Sequence, residues 1–239
     1  MRIFAGPNGS GKSTLYQNIK EYFSTTIFIN ADLLERAFKE CNFIDFQEFG
    51  ITVDDDAFQS FCEAHGQFLK GGFTTESWNL VVKENLLVAD TSARKNFNSL
   101  HFAITADFLR YCLLSHKRSF SFETVFSHPS KLELIDLAHQ NGYKVYLYFI
   151  STDSPEVNEE RVKDRVKKGG HDVERTAIYS RYDRTMELLL SMIRRCDVVY
   201  LWDNSKKKHT YLGSLKGNHI QFETAYPPNW VNKYIIERL

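Results

Sequence analysis

Short apolar segments alternate along this chain with longer segments of helical period. The apolar segments are rich in β-branched and aromatic residues, and the longer ones repeat hydrophobic residues every three to four positions. This alternation predicts an α/β fold with a mostly parallel central sheet and helices on both of its faces. Five strands are predicted, at 2–5, 26–30, 119–123, 144–150 and 197–202. The predicted helices lie at about 12–23, 99–117, 130–141, 156–168 and 174–195.

Residues 40–98 depart from this pattern. Within them, 54–72 begin with acidic residues and end in a glycine pair, as a helix does, and 79–89 contain two apolar runs joined as in a hairpin. After the last predicted strand, a second hairpin and a short helix follow. We therefore predict a single domain, 1–239, with an α+β insertion at about 40–98 and a C-terminal extension at about 209–239.

Charge and cysteine content narrow the function classes. Lys and Arg together number 30, as do Asp and Glu, so the formal net charge at pH 7 is zero, and no excess positive charge indicates a nucleic-acid or anionic-membrane partner. The four cysteines have no C-x-x-C spacing, no apolar run approaches the roughly 18 residues of a membrane span, and residues 1–15 lack a signal-peptide pattern. We expect a cytoplasmic protein with reduced thiols.

The segment GPNGSGKST at 6–14 fits the pattern G-x-x-x-x-G-K-[ST] and lies between a short strand and a helix, as a phosphate-binding loop requires. Its glycines let consecutive backbone N–H groups face a phosphate, and the helix N-terminus adds its dipole. In such loops the lysine reaches the β- and γ-phosphates, and the next hydroxyl binds Mg²⁺; here these are Lys12 and Ser13. We predict nucleotide binding by the whole loop: Gly6, Pro7, Asn8, Gly9, Ser10, Gly11, Lys12, Ser13 and Thr14.

Two predicted strands end in acidic residues. Asp32 follows the second strand and Glu123 ends the third, so both belong to the sheet edge where open parallel sheets bind ligands. Asp32 is a candidate base for an acceptor hydroxyl, or else the N-cap of the next helix. Glu123 is a candidate for contacting a substrate, or a metal through water, or else a carboxylate satisfied by nearby backbone N–H groups. Ser127 and His128 are weaker candidates on the same loop.

A basic cluster lies within 159–184 despite the neutral total. Arg161, Arg165 and Lys168 fall on one face of a predicted helix, which ends at a glycine pair. A lid that brings arginines over the γ-phosphate stabilises the charge of phosphoryl transfer and excludes water. Arg181 and Arg184 on the next helix are candidates for the same place, and the alternative for each arginine is a solvated helix face.

Two further segments resemble parts of nucleotide sites. The loop after the fifth strand contains Asn204 and, in this architecture, commonly borders the nucleotide base, unless it is only a turn. The segment LLVAD at 86–90 imitates a strand that ends in a magnesium-associated acid. We reject that interpretation of Asp90, because the segment follows a hairpin inside the insertion.

Together, the segments AGPNGSGKST, INADLLER, SFSFETVFSHPSK, RVKDRVKKGGHDVERTAIYSRY and DNS resemble the zeta-toxin family of P-loop kinases, over 1–39 and 99 to about 205. The resemblance implies a three-layer P-loop kinase fold and phosphorylation of a nucleotide sugar, UDP-N-acetylglucosamine in toxin members, by ATP or GTP. It implies that Lys12 is the phosphate-loop lysine and Asp32 the catalytic base. Glu123 then matches an acid that contacts the substrate, and Arg161 or Arg165 the lid arginines.

The chain departs from the family pattern in its lid. Members usually read GGHxVP followed by two adjacent arginines, whereas Glu174 replaces the proline here and Ser180 the first arginine, which leaves Arg181 as the match. The resemblance also implies an antitoxin-like protein partner, which would be a separate chain.

The leading hypothesis is a magnesium-dependent small-molecule kinase with a nucleotide-sugar acceptor. One alternative is a kinase of similar fold that acts on another metabolite or on a nucleotide. The other is a nucleotide-gated interaction module with little turnover, in which the insertion is the partner surface.

Overall fold

The structure is a computed structural model that describes residues 1–25, 27–90, 97–206, 208–217 and 219–239. Among the helices described, none combines the length and the hydropathy that a membrane span requires.

The strands, in chain order, are β1 (Arg2–Ala5), β2 (Phe28–Ile29), β3 (Phe43–Asp45), β4 (Leu80–Lys83), β5 (Leu86–Ala89), β6 (Ser121–Thr124), β7 (Tyr146–Ser151), β8 (Val198–Asp203), β9 (Thr210–Lys216) and β10 (His219–Phe222). The α-helices are α1 (Lys12–Ile19), α2 (Ala31–Cys41), α3 (Asp55–Ala64), α4 (Gly66–Lys70), α5 (Thr75–Trp78), α6 (Ser99–Ser115), α7 (Ser130–Gln140), α8 (Pro155–Lys167), α9 (Arg175–Arg195) and α10 (Asn229–Tyr234). Short 3₁₀ helices lie at Lys20–Tyr22, Phe46–Phe49 and Ile236–Arg238.

The chain forms two compact units. The first unit combines Met1–Thr26 with Ser121–Leu239, and the second is Ile27–Phe120. That the chain is one kinase domain with an insertion and an extension stays a prediction.

In the first unit, strands are ordered β10-β9-β8-β7-β1-β6 in one sheet. The pairs β6–β1, β1–β7 and β7–β8 are parallel, and β8–β9 and β9–β10 are antiparallel. Ala5 of β1 is in register with Thr124 of β6 and Phe149 of β7, so the loops after these parallel strands leave from one edge of the sheet. This edge is where an open α/β sheet binds ligands.

The mostly parallel α/β fold predicted from the sequence is therefore confirmed, but the predicted count of five strands is too low. The tail hairpin, expected as a separate extension, continues the same sheet because β9 pairs with β8. Apolar residues of the parallel strands fill the centre of this unit: Ile3, Phe4, Phe122, Leu147 and Phe149 are all fully buried.

The second unit contains a small antiparallel sheet in the order β3-β5-β4. The hairpin predicted at 79–89 is confirmed as β4 and β5, and its two-residue turn places Glu84 and Asn85 at positive φ, as a primed hairpin turn requires. The single helix predicted at 54–72 is wrong. It is interrupted between α3 and α4 by His65, which has extended backbone angles and accepts the N–H of Gln67.

Candidate active site

The phosphate-binding loop after β1 packs so closely that side chains are excluded at its glycines. A Cβ on Gly9 would lie 2.5 Å from the Asn158 carbonyl oxygen of α8, and one on Gly11 would lie 2.5 Å from Asn204 Nδ2. Gly11 also has a φ of +99°, which L side chains rarely adopt. Helix α1 begins directly after Gly11 and has no side-chain cap in the described structure. Its first N–H groups therefore suit an anion.

Lys12, Ser13 and Glu123 converge at the start of α1. The Lys12 ammonium is buried, donates to the Pro7 carbonyl at 2.9 Å and lies 4.0 Å from Glu123 Oε1. The Ser13 hydroxyl donates to Glu123 Oε2 at 2.8 Å. Because β6 is the parallel neighbour of β1, Glu123 is held against the loop by register, opposite Phe4. This contact with Ser13 places Glu123 where it could help to hold a metal; both predicted roles of Glu123, in contacting a substrate or a metal through water, stay predictions.

Residues of α8 and of the phosphate loop line one cavity of about 590 Å³. Three basic side chains of the predicted lid, Arg161, Arg165 and Lys168, lie in its wall with Lys12. The other lining residues are Gly9, Gly11, Ser13, Thr14, Glu123, Val162, Asn204 and His209. Four cationic side chains thus surround one cavity that has a single carboxylate among its lining residues, which suits a polyanion.

Arg161 and Arg165 each have a buried nitrogen without a hydrogen-bond partner among the described residues. Arg161 Nη2 donates to the Lys206 carbonyl at 2.9 Å, and Arg165 Nη2 donates to the His171 carbonyl at 2.6 Å. Arg161 Nη1 and Arg165 Nε are buried and have no hydrogen-bond partner within the described chain. Burial lowers the pKa of Arg161, an effect that Asp203 opposes, but a guanidinium stays protonated. Buried charged donors without partners are costly, and an anion in the cavity would remove this cost.

Two backbone carbonyl groups of the phosphate loop accept hydrogen bonds that hold the loop in place. The Pro7 carbonyl accepts from Lys12, and the Ser10 carbonyl accepts from Asn204 Nδ2 at 2.8 Å, while Asn8 Oδ1 and Ser10 Oγ are buried. Asn204, predicted to border the nucleotide base, thus clamps the phosphate loop and also lines the cavity.

Sequence reasoning missed His209, which lines the same cavity. Its Nε2 would lie 2.8 Å from a Cβ on Gly11, so the imidazole sits directly on the phosphate loop. Burial and the neighbouring Arg161 lower the pKa of His209, so both favour the neutral ring. His209 ends a lysine run, and no spacing pattern in the sequence distinguishes it from a loop residue.

The remaining candidates are not among the described residues that line this cavity. Asp32 is an exposed residue of the first turn of α2, in the second unit, and the alternative that it caps this helix is wrong. Asn30 is the cap, because its side chain accepts the N–H groups of Asp32 and Leu33. Ser127 and Arg181 are half-buried and are not among the residues that line the described cavity. Their contact with a substrate, and the role of Asp32, stay predictions.

Three other side chains singled out in the sequence also do not line the described cavity. His128 Nδ1 lies 2.8 Å from Ser130 Oγ, and Arg184 is exposed on α9. Asp90 follows β5 of the antiparallel sheet, whereas Glu123 lies on the parallel neighbour of β1.

This chain is similar to a protein family, to a known protein sequence and to solved structures. The zeta toxin family model matches residues 86–214, more than half of the chain; this stretch contains Glu123, Arg161 and Asn204 and begins after the phosphate loop. An uncharacterized protein of Haemophilus influenzae is 32% identical over 100 residues, which are 41% of this chain and 64% of that protein.

Solved structures of AvrRxo1-ORF1:AvrRxo1-ORF2 share the fold at 16% identity. The structure with ATP has a TM-score of 0.57, and the one with sulphate ions has 0.56; each comparison covers 98% of this chain and 63% of the other. The chain therefore spans less than two thirds of the length of these relatives. The resemblance drawn from the sequence motifs is confirmed by the family match: this chain belongs to the zeta toxin family.

Proposed function

We propose that this protein is a kinase that transfers the γ-phosphate of ATP or GTP to a hydroxyl group of a nucleotide sugar such as UDP-N-acetylglucosamine. The observation that carries the proposal is the pair of buried guanidinium nitrogens of Arg161 and Arg165 that have no hydrogen-bond partner among the described residues, in one cavity with Lys12 and Ser13. The AvrRxo1-ORF1 complex crystallised with ATP has the same fold, which supports a nucleotide in this cavity.

The phosphate loop and the start of α1 would hold the nucleotide. Backbone N–H groups after Gly11 would bind phosphate oxygens, and Lys12 would leave Pro7 to contact the β- and γ-phosphates. Mg²⁺ fits beside them, since the Ser13 hydroxyl and a Glu123 oxygen lie 2.8 Å apart and hard cations prefer oxygen ligands. When bound, the ion would neutralise phosphate charge; Ser13 would contact it directly and Glu123 directly or through water.

The arginines of α8 would act on the transferred group. Phosphoryl transfer spreads charge over the γ-phosphate oxygens, and preorganised donors in a water-poor site stabilise that charge. Arg161 and Arg165 are held by carbonyl groups of Lys206 and His171, so they need little rearrangement. The same side chains cover the phosphates and so exclude water from the reaction.

Asp32 is the proposed base that orients and deprotonates the acceptor hydroxyl, and Ser127 and Arg181 are proposed acceptor contacts. Asp32→Asn removes the base but keeps the size of the side chain. We expect phosphoryl transfer to fall by at least about 100-fold, with nucleotide affinity nearly unchanged. Transfer assayed by mass spectrometry and binding assayed by calorimetry would separate the two. Full transfer by the variant would remove Asp32 from this role.

The acceptor is tested by a direct screen. UDP-sugars are incubated with the protein, Mg²⁺ and either ATP or GTP, and products are read by mass spectrometry; a phosphate adduct on a UDP-sugar is expected. Lys12→Ala, which removes the loop ammonium, is the control. Labelling of another metabolite or nucleotide, without any UDP-sugar adduct, would favour the kinase with a different acceptor.

A second candidate function is a nucleotide-gated interaction module. It is supported by the solved structures of similar fold, which are complexes of AvrRxo1-ORF1 with AvrRxo1-ORF2. The resemblance to the zeta-toxin family also implies an antitoxin-like protein partner. Nucleotide binding without transfer to any acceptor, together with a partner lost on deletion of 45–92, would support it. We also propose a cytoplasmic location, which the four unpaired cysteines fit.

A further inference from the structure

The C-terminal helix α10 is tied to the end of β8 by one buried hydrogen bond. Trp230 of α10 is 2% exposed, and its indole Nε1 donates to Asp203 Oδ1 at 3.0 Å. Asp203, the last residue of β8, is 8% exposed. Its carboxylate also accepts the Ser205 hydroxyl on Oδ1 at 2.7 Å and the Ser205 N–H on Oδ2 at 3.1 Å. Among the described residues, the Asp203 carboxylate therefore accepts hydrogen bonds both from Trp230 of α10 and from Ser205 of the turn after β8.

Asn204, which lies between Asp203 and Ser205, is hydrogen-bonded to the phosphate loop. Asn204 donates its backbone N–H to the Ser151 carbonyl at 2.8 Å, and its side-chain Nδ2 to the Ser10 carbonyl at 2.8 Å. The Ser205 hydroxyl in turn accepts the N–H of Asp153 at 2.9 Å. The turn at 203–205 thus joins α10 to the residue that immediately precedes Gly11 and Lys12.

We propose that Trp230 is a positioning residue of the nucleotide site, and that the C-terminal helix acts through it to hold the phosphate loop in the shape that binds a nucleoside triphosphate. The inference rests on nucleotide binding by the loop, a part of the proposed function. It assigns a role to the C-terminal extension, which contributes no lining residue to the cavity beyond His209 in the described chain.

The physical argument concerns the direction of the Asn204 side chain. A charge-assisted hydrogen bond from a buried indole to a carboxylate fixes the position of that carboxylate. Asp203 is covalently followed by Asn204, and the Asn204 amide reaches Ser10 only while the turn keeps its geometry. A methyl group would not fit at Gly11 beside Asn204 Nδ2, so the packing at this contact leaves little freedom.

Trp230→Phe tests this link, because it keeps an aromatic ring and removes the indole N–H that donates to Asp203, together with the rest of the five-membered ring. The matched control is Trp202→Phe, since the indole N–H of Trp202 in the same β8 strand is buried and has no partner in the part of the chain that the structure describes. We expect the Kd for Mg²⁺–ATP, measured by calorimetry, to rise about tenfold in Trp230→Phe, the loss of one hydrogen bond to a charged group. Trp202→Phe should bind like the wild type.

A double-mutant cycle with Asn204→Ala distinguishes positioning from general stability. If Trp230 acts through Asn204, its substitution has little further effect in the Asn204→Ala background; additive losses would overturn the proposal. Should Trp230→Phe not fold, Ser205→Ala removes another donor to Asp203 and enters the same cycle with the same expected result. Equal affinity of the wild type and Trp230→Phe overturns this inference alone. No binding of Mg²⁺–ATP by the wild type overturns the proposed function as well.

Discussion

Arg161 is the residue on which the proposed chemistry depends most directly. It is fixed by the Lys206 carbonyl and keeps a buried Nη1 without a partner among the described residues. Arg161→Lys keeps the charge but loses the planar fork of donors. We expect the rate of phosphoryl transfer to fall by about 100-fold, the scale seen when one transition-state donor is removed, while nucleotide affinity falls less.

The control for this substitution is Arg194→Lys, which changes an exposed arginine in the last turn of α9. Initial rates with a saturating acceptor and separate binding titrations give the two quantities. A lysine variant that transfers phosphate at the rate of the wild type would show that the unpartnered N–H of Arg161 does not act on the transferred group.

The sequence predicted those residues whose role follows from local spacing. Lys12 and Ser13 belong to one contiguous motif, and the i, i+4 spacing of Arg161 and Arg165 places them on one helix face. Asn204 was predicted to border a base, but its contact with Ser10 joins residues 194 positions apart. The contact of His209 with Gly11, and that of Trp230 with Asp203 27 positions away, also lie outside any local motif. Spacing carries no information about such contacts, because the fold creates them.

At the level of helices and strands, periodicity predicted whether a segment is a helix or a strand better than it predicted which strands pair. The helix expected at 99–117 is α6, Ser99–Ser115, and the hairpin at 79–89 needs only a local turn. The helix expected at 54–72 is interrupted at His65, where one residue in extended conformation outweighs the propensity of its neighbours. That β9 joins β8 could not be predicted, because alternating residues identify a strand but not its partner.

Helix α6 carries a buried histidine that makes the second unit sensitive to acid. His101 is 2% exposed and stacks on Trp78, with ring centroids 4.7 Å apart. Burial lowers the pKa of His101 from the ordinary 6.5 to about 4. Between these values the unfolded chain binds a proton that the folded protein does not. Proton binding by the unfolded chain therefore lowers the free energy of unfolding as the pH falls from 6.5 toward 4, and has no effect on it above pH 6.5.

His101→Gln removes this titration; because it also removes the ring that stacks on Trp78, only the pH dependence of the difference in stability is used. We expect the wild type to lose free energy of unfolding relative to the variant by about 1.4 kcal/mol per pH unit between pH 6.5 and 4. Denaturant unfolding at several pH values measures the difference. His116→Gln, an exposed histidine at the end of the same helix, is the control. A difference between wild type and His101→Gln that does not change with pH would contradict the assignment.

For the molecule as a whole, the net charge of zero excludes an overall excess of positive charge. It does not reveal the cluster of basic side chains around the cavity. Composition averages over the surface, whereas the sheet gathers Lys12, Arg161, Arg165 and Lys168 around one cavity. Fold class and family could be predicted because several motifs agreed in order and spacing. The second compact unit, Ile27–Phe120, extends beyond the predicted insertion at about 40–98 on both sides, because it also contains α2 and α6.

The proposed function makes one prediction about the fate of the phosphate in the whole protein. In the proposed site, two arginines cover the γ-phosphate and the hydroxyl of a bound acceptor receives it. Such a site should transfer phosphate to water only slowly. With Mg²⁺ and ATP alone, we expect phosphate release at least about 100-fold slower than transfer to the acceptor found by the screen, because a positioned hydroxyl reacts as an intramolecular group. Release of inorganic phosphate, measured with and without that acceptor, gives the ratio.

The alternatives predict different ratios. A nucleotide-gated module would show slow release that no acceptor accelerates, although the nucleotide still raises the free energy of unfolding by about 2.7 kcal/mol at a concentration 100 times its Kd. A hydrolase would release phosphate rapidly without any acceptor, and such a result would contradict the kinase. Lys12→Ala distinguishes contamination from turnover, since phosphate release that persists in this variant does not come from the loop. Only acceleration by an acceptor, lost in Lys12→Ala, supports phosphate transfer to a bound hydroxyl.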